Sequence, residues 1–463
     1  MDEHERQERA RRARGAQAGL ASRDVDVVAA TFVDNSGITR VKAVPVPVLD
    51  HAAAWGIGAS PVFDSFLFDG SGVTGPHAPG VVGDLRLHPD LDRLTVLAAQ
   101  PGWAWAPVDR YDQQGGVHPI DQRSAARAAV AGLAAEGYEA LAAFEVEWVV
   151  GLDPAPGADP DAFVSAARGP AYGHARVVER SDYVRDVVAA LTAEDISVEQ
   201  VHPEYAEGQF ELSVAAKDPV GAADDMVLVR ETVRAVSLRH GLRASFSPKV
   251  LAGGVGNGGH VHLSLWRDGR NTFAGGEGPC GLDEAGETFC AGVLAHLPGL
   301  LALGAPCMAS YLRLVPQHWA GAFAVWGQEN REAAVRLVPG PVAAQNRSAN
   351  MEVKCFDLAA NPYLAIAGLL FAGMAGLAEG THLPAPVDVD PASLSEQERR
   401  EGGVVRLPAS LHEAVTAFEA DRVLTRGLGE PLAATVGNVR RGEIARFADA
   451  TPEDIVHALR WVY

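Results

Sequence analysis

Hydrophobic and polar positions follow two periods along this chain, and the places where one gives way to the other mark its organisation. Residues 1–20 are dense in charge and predict a helix or an arm. Two β-rich runs, 25–33 and 37–45, flank Asp34-Asn35-Ser36-Gly37, a strong turn sequence, and predict paired strands. Residues 56–83, rich in Gly, Ser, Asp and Pro, show no helical period and predict a long functional loop. Strand character resumes at 81–89 and 94–97, and 101–114 reads as a linker with a domain boundary near 115. From 119 onward, helical periods at 121–136, 181–194 and 223–240 are interspersed with strand-like runs at 141–148, 198–214, 260–266 and 351–356. Beyond Asn361-Pro362-Tyr363 an Ala/Gly/Leu-rich helix runs to about 380, a Pro- and Asp-rich stretch covers 383–392, and helices at 411–426 and 451–461 close the chain. The pattern divides the protein into an arm (1–20), a small β-sheet domain (21–115) and an α+β or α/β catalytic domain (116–463).

Composition narrows the function classes. The 463 residues, 48% of them hydrophobic, suffice for two or three domains. A net charge of −20 argues against wrapping a polyanion, so no nucleic-acid partner is expected. Four cysteines (Cys280, Cys290, Cys307 and Cys355) form neither a Cys-x-x-Cys motif nor a disulfide framework, and are read as reduced and mostly buried. Neither an N-terminal apolar signal core nor a membrane-spanning apolar stretch of about 18 residues is expected from the pattern, which predicts a cytoplasmic protein without a membrane partner.

The candidate chemistry lies in the strand-like runs. Glu145-Val146-Glu147 carries two carboxylates at i and i+2, which a strand directs to one face. In 198–214, a two-residue hairpin loop at Glu207-Gly208 would set Glu204 directly opposite Glu211, a repulsive pair unless a cation lies between them. His260, His262 and Ser264 share one face of a third run, and Glu352 and Lys354 share one face of a fourth. A lone Glu-x-Glu is ordinarily a solvated strand face; four such runs, each beside apolar residues, point to a buried cation site. Carboxylate oxygens with an imidazole favour Mg²⁺ or Mn²⁺.

These motifs, taken in order, resemble one family. The segments are Phe144-Glu145-Val146-Glu147, His202-Pro203-Glu204 through Gly208-Gln209-Phe210-Glu211, Ser247-Pro248-Lys249, and Gly258-Gly259-His260-Val261-His262-Leu263-Ser264. Ser310-Tyr311-Leu312-Arg313, Asn330-Arg331 with Arg336, Met351-Glu352-Val353 and Asp357 through Leu364 complete the set. From about residue 25 to its end the chain resembles the glutamine synthetases of the bacterial class I type. The resemblance implies an α+β fold: a β-grasp N-terminal domain, then a catalytic domain whose curved sheet forms a funnel with ATP entering at the wide end. It also implies a dodecamer of two six-membered rings, each site completed by a neighbour's N-terminal domain. Carried over by position, Glu147, Glu204 and Glu211 are implied ligands of a first metal, and Glu145, His260 and Glu352 of a second, with two or three Mg²⁺ or Mn²⁺ ions per site. ATP would phosphorylate the γ-carboxylate of glutamate, and an amine would attack the acyl phosphate. Arg331 and Arg336 are implied phosphate ligands, His262 and Ser264 nucleotide contacts, Arg313 the partner of the glutamate α-carboxylate, and Gly256 a close backbone approach to the amino acid. Lys249 is a further phosphate candidate.

Several positions depart from the family pattern. Where ammonia-using members carry a flap Glu six residues after the Arg, this chain has Trp319, which cannot accept a proton. The second ammonium-site acid corresponds either to Asp69, in Phe68-Asp69-Gly70-Ser71, or to Ser60, and both alignments stand. Lys354 replaces an Arg that serves phosphoryl transfer or glutamate, and Val255 replaces an Asn of the substrate loop. No tyrosine lies between Tyr363 and Tyr463, so the loop adenylylated in many members lacks its acceptor. An intact cation cage beside an altered nitrogen pocket is expected of a ligase joining glutamate to ethanolamine, a monoamine or a polyamine, with Asp64 and Asp69 as candidate acids for a polyamine. The alternatives are an ammonia-using glutamine synthetase and a non-catalytic structural ring.

Overall fold

The structure is a computed structural model describing residues 2–154, 157, 159 and 161–463. A helix, Glu3–Ala21, opens the chain, capped by Asp2, whose side chain accepts from the Glu5 amide. Its apolar side, Ala13 and Leu20, packs on Val28, Val46, Leu49 and Ala53 beneath the first sheet, so the arm is part of a small core.

That sheet contains β1 (Val27–Val33), β2 (Thr39–Pro45), β3 (Ile57–Ala59), β4 (Leu85–Pro89), β5 (Thr95–Val96) and β6 (Trp103–Tyr111), in the order β2-β1-β6-β4-β3 with β5 also on β6. Residues 101–114 are therefore no linker: β6 is the central strand. Two prolines and a glycine concealed it. Pro107 is tolerated because β6 changes partner there, pairing with β1 up to Thr31↔Pro107 and with β4 from Val108 onward.

The second sheet comprises β7 (Glu139–Leu152), β8 (Val198–Pro203), β9 (Gln209–Val214), β10 (Leu242–Ser245), β11 (Gly259–Arg267), β12 (Arg270–Asn271), β13 (Phe323–Gln328), β14 (Ala333–Val338) and β15 (Asn350–Val353). Its path is β13-β14-β15-β11-β7-β9-β8, a curled half-barrel, with β10 beside β7 and β12 beside β11. The whole is α+β. Helices Gln122–Ala135, Pro219–Arg239, Glu284–Gly304 and Pro362–Glu379 contribute to its main core, with Leu133, Val229, Phe289 and Leu369 buried together. Two of them, Glu284–Gly304 and Pro362–Glu379, are long and apolar enough to cross a bilayer, against the sequence reading, but both are largely buried inside the protein. The helix expected at 411–426 is two, Leu411–Ala420 and Arg422–Leu428, because the Asp421 carboxylate accepts from the Val423 and Leu424 amides and starts a new helix. The helices Glu284–Gly304 and Glu430–Arg446 were not anticipated.

Buried polar groups tie the sheets together. Arg123 donates to Asp109 at 2.7 Å, Asp90 at 2.9 Å and Asp224 at 2.7 Å. Asn361 Nδ2 donates to the Val33 carbonyl at 2.9 Å. Removing one partner of such a buried ion pair costs about 3–5 kcal/mol.

Candidate active site

Four acids carried by the half-barrel, Glu145, Glu147, Glu204 and Glu211, line one cavity of about 630 Å³. Glu145 and Glu147, two residues apart on β7, both line it, as their spacing dictates. Glu147 lies across from Glu211 of β9, and Glu145 across from His260 of β11. Glu352 of β15 lies across from His262 and Arg336. All six acids and imidazoles implied as metal ligands thus come together.

The hairpin register differs from the expected one by two residues. His202, not Glu204, faces Glu211, and the Glu204 amide bonds the Gln209 carbonyl at 2.9 Å. The loop is held wide by Arg176, whose guanidinium donates to the carbonyls of Glu204 at 2.7 Å and Ala206 at 2.6 Å. A shift of two preserves the face, so Glu204 and Glu211 still converge, together with His202: one ligand atom from each lies within 4.8 Å of the others. His202 Nε2 is 3.1 Å from Glu211. Sequence reasoning passed over His202, although its i, i+2 relation to Glu204 was a usable signal.

The second group centres on His260. Its Nδ1 is 2.7 Å from Glu145 Oε2 and 3.2 Å from Glu352 Oε1, while Nε2 is 3.7 Å from Glu147. His262 Nε2 stands 3.9 Å from Glu145, and Glu145, His262 and Glu352 also form a cluster of metal-ligand dimensions. Arg336 and Lys354 donate to Glu352 at 2.9 and 3.0 Å.

The electrostatics of the groups differ. Burial would raise the Glu145 and Glu352 carboxyls, but for Glu145 the neighbouring imidazoles, and for Glu352 Lys354 and the imidazoles, outweigh it and hold both well below the usual range. His262 is raised to about 9, its burial outweighed by Glu145 and Glu352. In the other group, burial and then the charges of Glu145, Glu147 and Glu204 push Glu211 up to about 12, and burial with Glu147 raises Glu204. Among the described residues no Lys or Arg ion-pairs with Glu147, Glu204 or Glu211. Crowded carboxylates without a counter-charge must take a proton or a cation, and an oxygen-rich set with imidazole fits a hard divalent ion.

Backbone and amide groups set the frame. The Gly258 amide donates to Glu147 at 2.8 Å, and Gln209 Nε2 is shared among Glu147, the Gly256 carbonyl and Asn257 at 2.9–3.0 Å. A Cβ on Gly256 would lie 2.4 Å from the Pro248 carbonyl and 2.6 Å from Arg313, and one on Gly258 would lie 2.3 Å from His260 Nε2. Both glycines are required by close approach. Arg313 donates through one nitrogen to His260 at 3.2 Å and to the Lys354 carbonyl at 3.0 Å. Its other terminal nitrogen is buried with no partner, as is Arg336 Nε. Arg331, Trp319 and Val255 also line the cavity.

Ser264 is set apart from this cavity. It lies in an adjoining one of about 410 Å³ that shares Glu145, Gln200 and His262, and its hydroxyl accepts from Trp266 Nε1 at 2.9 Å. Lys249 is buried, which with the nearby charge of Arg313 lowers its pKa, and it lies outside both cavities. The three N-terminal candidates are occupied within their own chain and line neither cavity. Ser60 caps Pro61–Ser65, Asp69 bonds Ser71 and Arg446 at 2.9 and 3.2 Å, and Asp64 is fully buried against Arg110 at 2.7 Å, so it offers no carboxylate to an amine.

Comparison with known proteins places this architecture. Residues 119–457 match the family described as glutamine synthetase, catalytic domain. The gamma-glutamylpolyamine synthetase GlnA3 of Streptomyces coelicolor is 54% identical over 453 residues, spanning 98% of this chain and 97% of that one. A glutamine synthetase of Methanocaldococcus jannaschii is 32% identical, spanning 91% and 92%. Among solved structures, a novel glutamine synthase homolog has a TM-score of 0.84 at 32% identity, covering 95% of this chain and 99% of its own. A GmaS complex with ADP has a TM-score of 0.80 at 28% identity, covering 94% and 96%. The chain belongs to the glutamine synthetase family and is a ligase. Ligases of this family work with ATP and divalent metal ions.

Proposed function

We propose that the protein is an ATP-dependent glutamate–polyamine ligase, forming γ-glutamylpolyamines with release of ADP and phosphate. One observation carries the reading: Glu145, Glu147, Glu204 and Glu211 line a cavity, with Glu352 behind them against His260, and the wall of that cavity at the flap position is Trp319 instead of an acid. The similarity to a gamma-glutamylpolyamine synthetase supports the choice of amine.

In this reading Glu147, Glu204 and Glu211, with His202 beside them, would hold one Mg²⁺ or Mn²⁺, and Glu145, His260 and Glu352, with His262, would hold another. When bound, the ions neutralise charge on the phosphate oxygens of ATP. Arg313, with its unpartnered buried nitrogen, binds the α-carboxylate of glutamate, and Gly256 lets that substrate approach the backbone. Arg331, Arg336 and Lys354 stabilise the phosphoryl group as it passes from ATP to the γ-carboxylate. His262, which lines both cavities, and Ser264, in the adjoining one, contact the nucleotide. The neutral amine nitrogen then attacks the acyl carbon; the amide C–N bond forms, the acyl C–O bond to phosphate breaks, and the phosphate leaves carrying the proton the nitrogen gives up. Trp319 walls the amine site, and any contribution from Ser60 or Asp69 comes from a neighbour in a dodecamer of two hexameric rings. Exposure of Val81 and Val82, at 89% and 87%, in the N-terminal loop supports such an interface. Residues 21–115 form the β-grasp domain, on which the helix of the 1–20 arm packs, and 116–463 the catalytic domain; use of ATP and glutamate fits a protein of the cytoplasm.

The test is phosphate release with ATP, glutamate and a panel of amines, with products weighed by mass spectrometry. Polyamine adducts formed with the highest kcat/KM are expected. Ammonium as the best acceptor would return the protein to glutamine synthesis.

A further inference from the structure

We infer that Tyr205 and Trp319 form a cation–π clamp that holds the distal ammonium group of the acceptor amine. The inference rests on the amine-ligase reading above and deepens it by naming what distinguishes a diamine from a monoamine.

The two rings come from separate segments, the loop between β8 and β9 and the turn after the short helix Ser310–Arg313. Their centroids are 5.2 Å apart and their planes tilted by 47°. Both border the main cavity, and both remain open, at 45% and 43% exposure, so the contact is not core packing. Trp319 is held rather than loose. It has φ +52° and Gln317 has φ +62°, left-handed conformations that cost non-glycine residues free energy. The turn is pinned by Glu332 Oε1, which accepts from the Trp319 amide at 2.9 Å, and by Gln317 Nε2, which donates to Asp390 at 3.2 Å.

The chemistry of the acceptor explains why aromatic faces suit this position. A diamine is doubly protonated at neutral pH; one nitrogen loses its proton to attack, while the other keeps its charge throughout. Glu204, adjacent to Tyr205, belongs to the carboxylate cluster that would take a divalent ion. A further carboxylate at the rim would compete for that ion. Ring faces attract an ammonium without chelating a metal, and the same rings pack against the methylene chain.

The test uses the full-length protein with Mg²⁺, saturating ATP and glutamate, and two acceptors of equal chain length, 1,4-diaminobutane and n-butylamine. The readout is the ratio of their kcat/KM values, which is insensitive to the fraction of folded enzyme. The unmodified protein is expected to favour the diamine by about 5–30-fold, the range set by one or two cation–π contacts. Tyr205→Ala and Trp319→Ala are each expected to bring the ratio towards one by raising KM for the diamine, with Trp319→Phe intermediate. A ratio near one in the unmodified protein, or variants in which both acceptors decline in parallel, would overturn the clamp while leaving the ligase reading intact. Turnover with ammonium alone would instead remove the ligase reading on which the clamp depends.

Discussion

Glu211→Gln is expected to stabilise the metal-free protein and to abolish most of the stabilisation that Mg²⁺ confers. Glu211 is buried, faces Glu147 across the β7/β9 ladder, and has a carboxylate oxygen within 4.8 Å of a Glu204 oxygen. Two unit charges at that distance repel by about 3.5 kcal/mol at an effective dielectric near 20. Titration gives a similar magnitude. Burial, followed by the charges of Glu145, Glu147 and Glu204, raises this carboxyl from an ordinary 4.5 to about 12, so folding without metal takes up a proton at neutral pH. A raised folded-state pKa leaves stability intact below the unfolded value and erodes it as pH rises, by about 1.4 kcal/mol per pH unit, or about 3 kcal/mol by pH 7. The isosteric amide removes that term, and after relaxation of the surroundings about 1–3 kcal/mol should appear as a melting temperature a few degrees higher in EDTA. For the unmodified protein, Mg²⁺ at a hundredfold excess over its dissociation constant adds about 2.7 kcal/mol, whereas the variant lacks a donor and gains little. Thermal unfolding at fixed protein concentration, in EDTA and in Mg²⁺ at pH 6 and 8, measures both effects. A variant less stable than the parent in EDTA, or one that gains as much from Mg²⁺, would refute the assignment of Glu211 to a cation site.

Three further outcomes follow from the same geometry. Glu147→Ala should reduce turnover by a factor of about 10³ or more while circular dichroism and oligomer size stay unchanged, since its carboxylate faces the cavity and phosphoryl transfer depends on charge neutralisation. Near-normal turnover would remove Glu147 from the site. Gly258→Ala, whose Cβ would lie 2.3 Å from His260 Nε2 and 2.7 Å from Glu147 Oε1, should displace both side chains and raise the Mg²⁺ concentration needed for half-maximal activity at least tenfold. An unchanged Mg²⁺ titration would show that the close contact has no bearing on the site. Trp319→Glu should increase kcat/KM for ammonium relative to larger amines, and an unaltered preference would exclude this side chain from acceptor choice.

The acids were legible before the fold because strand alternation is a local property. Glu145 and Glu147 share a face whatever packs around them, and the β11 alternation brings His260 and His262 to that face without knowledge of the sheet order. Pairing is not local, and there the sequence reading failed in specific ways. The hairpin was drawn at its tightest, and the wider loop depends on Arg176, a buried side chain some thirty residues upstream that binds carbonyls carrying no sequence signature. The central strand β6 has the look of a linker because Pro107 resembles a breaker, and only the change of partner from β1 to β4 shows why it is accommodated. The stretch 411–426 carries one helical period, yet the Asp421 carboxylate caps a second helix within it while accepting a 2.6 Å bond from His296. The aromatic contact at the cavity rim joins residues 205 and 319 across unrelated segments, so no spacing rule reaches it. The chemistry that one strand can aim was therefore readable from its own residues. The chemistry requiring two distant loops to meet, which here includes the discrimination between acceptors, became visible only once the chain was folded.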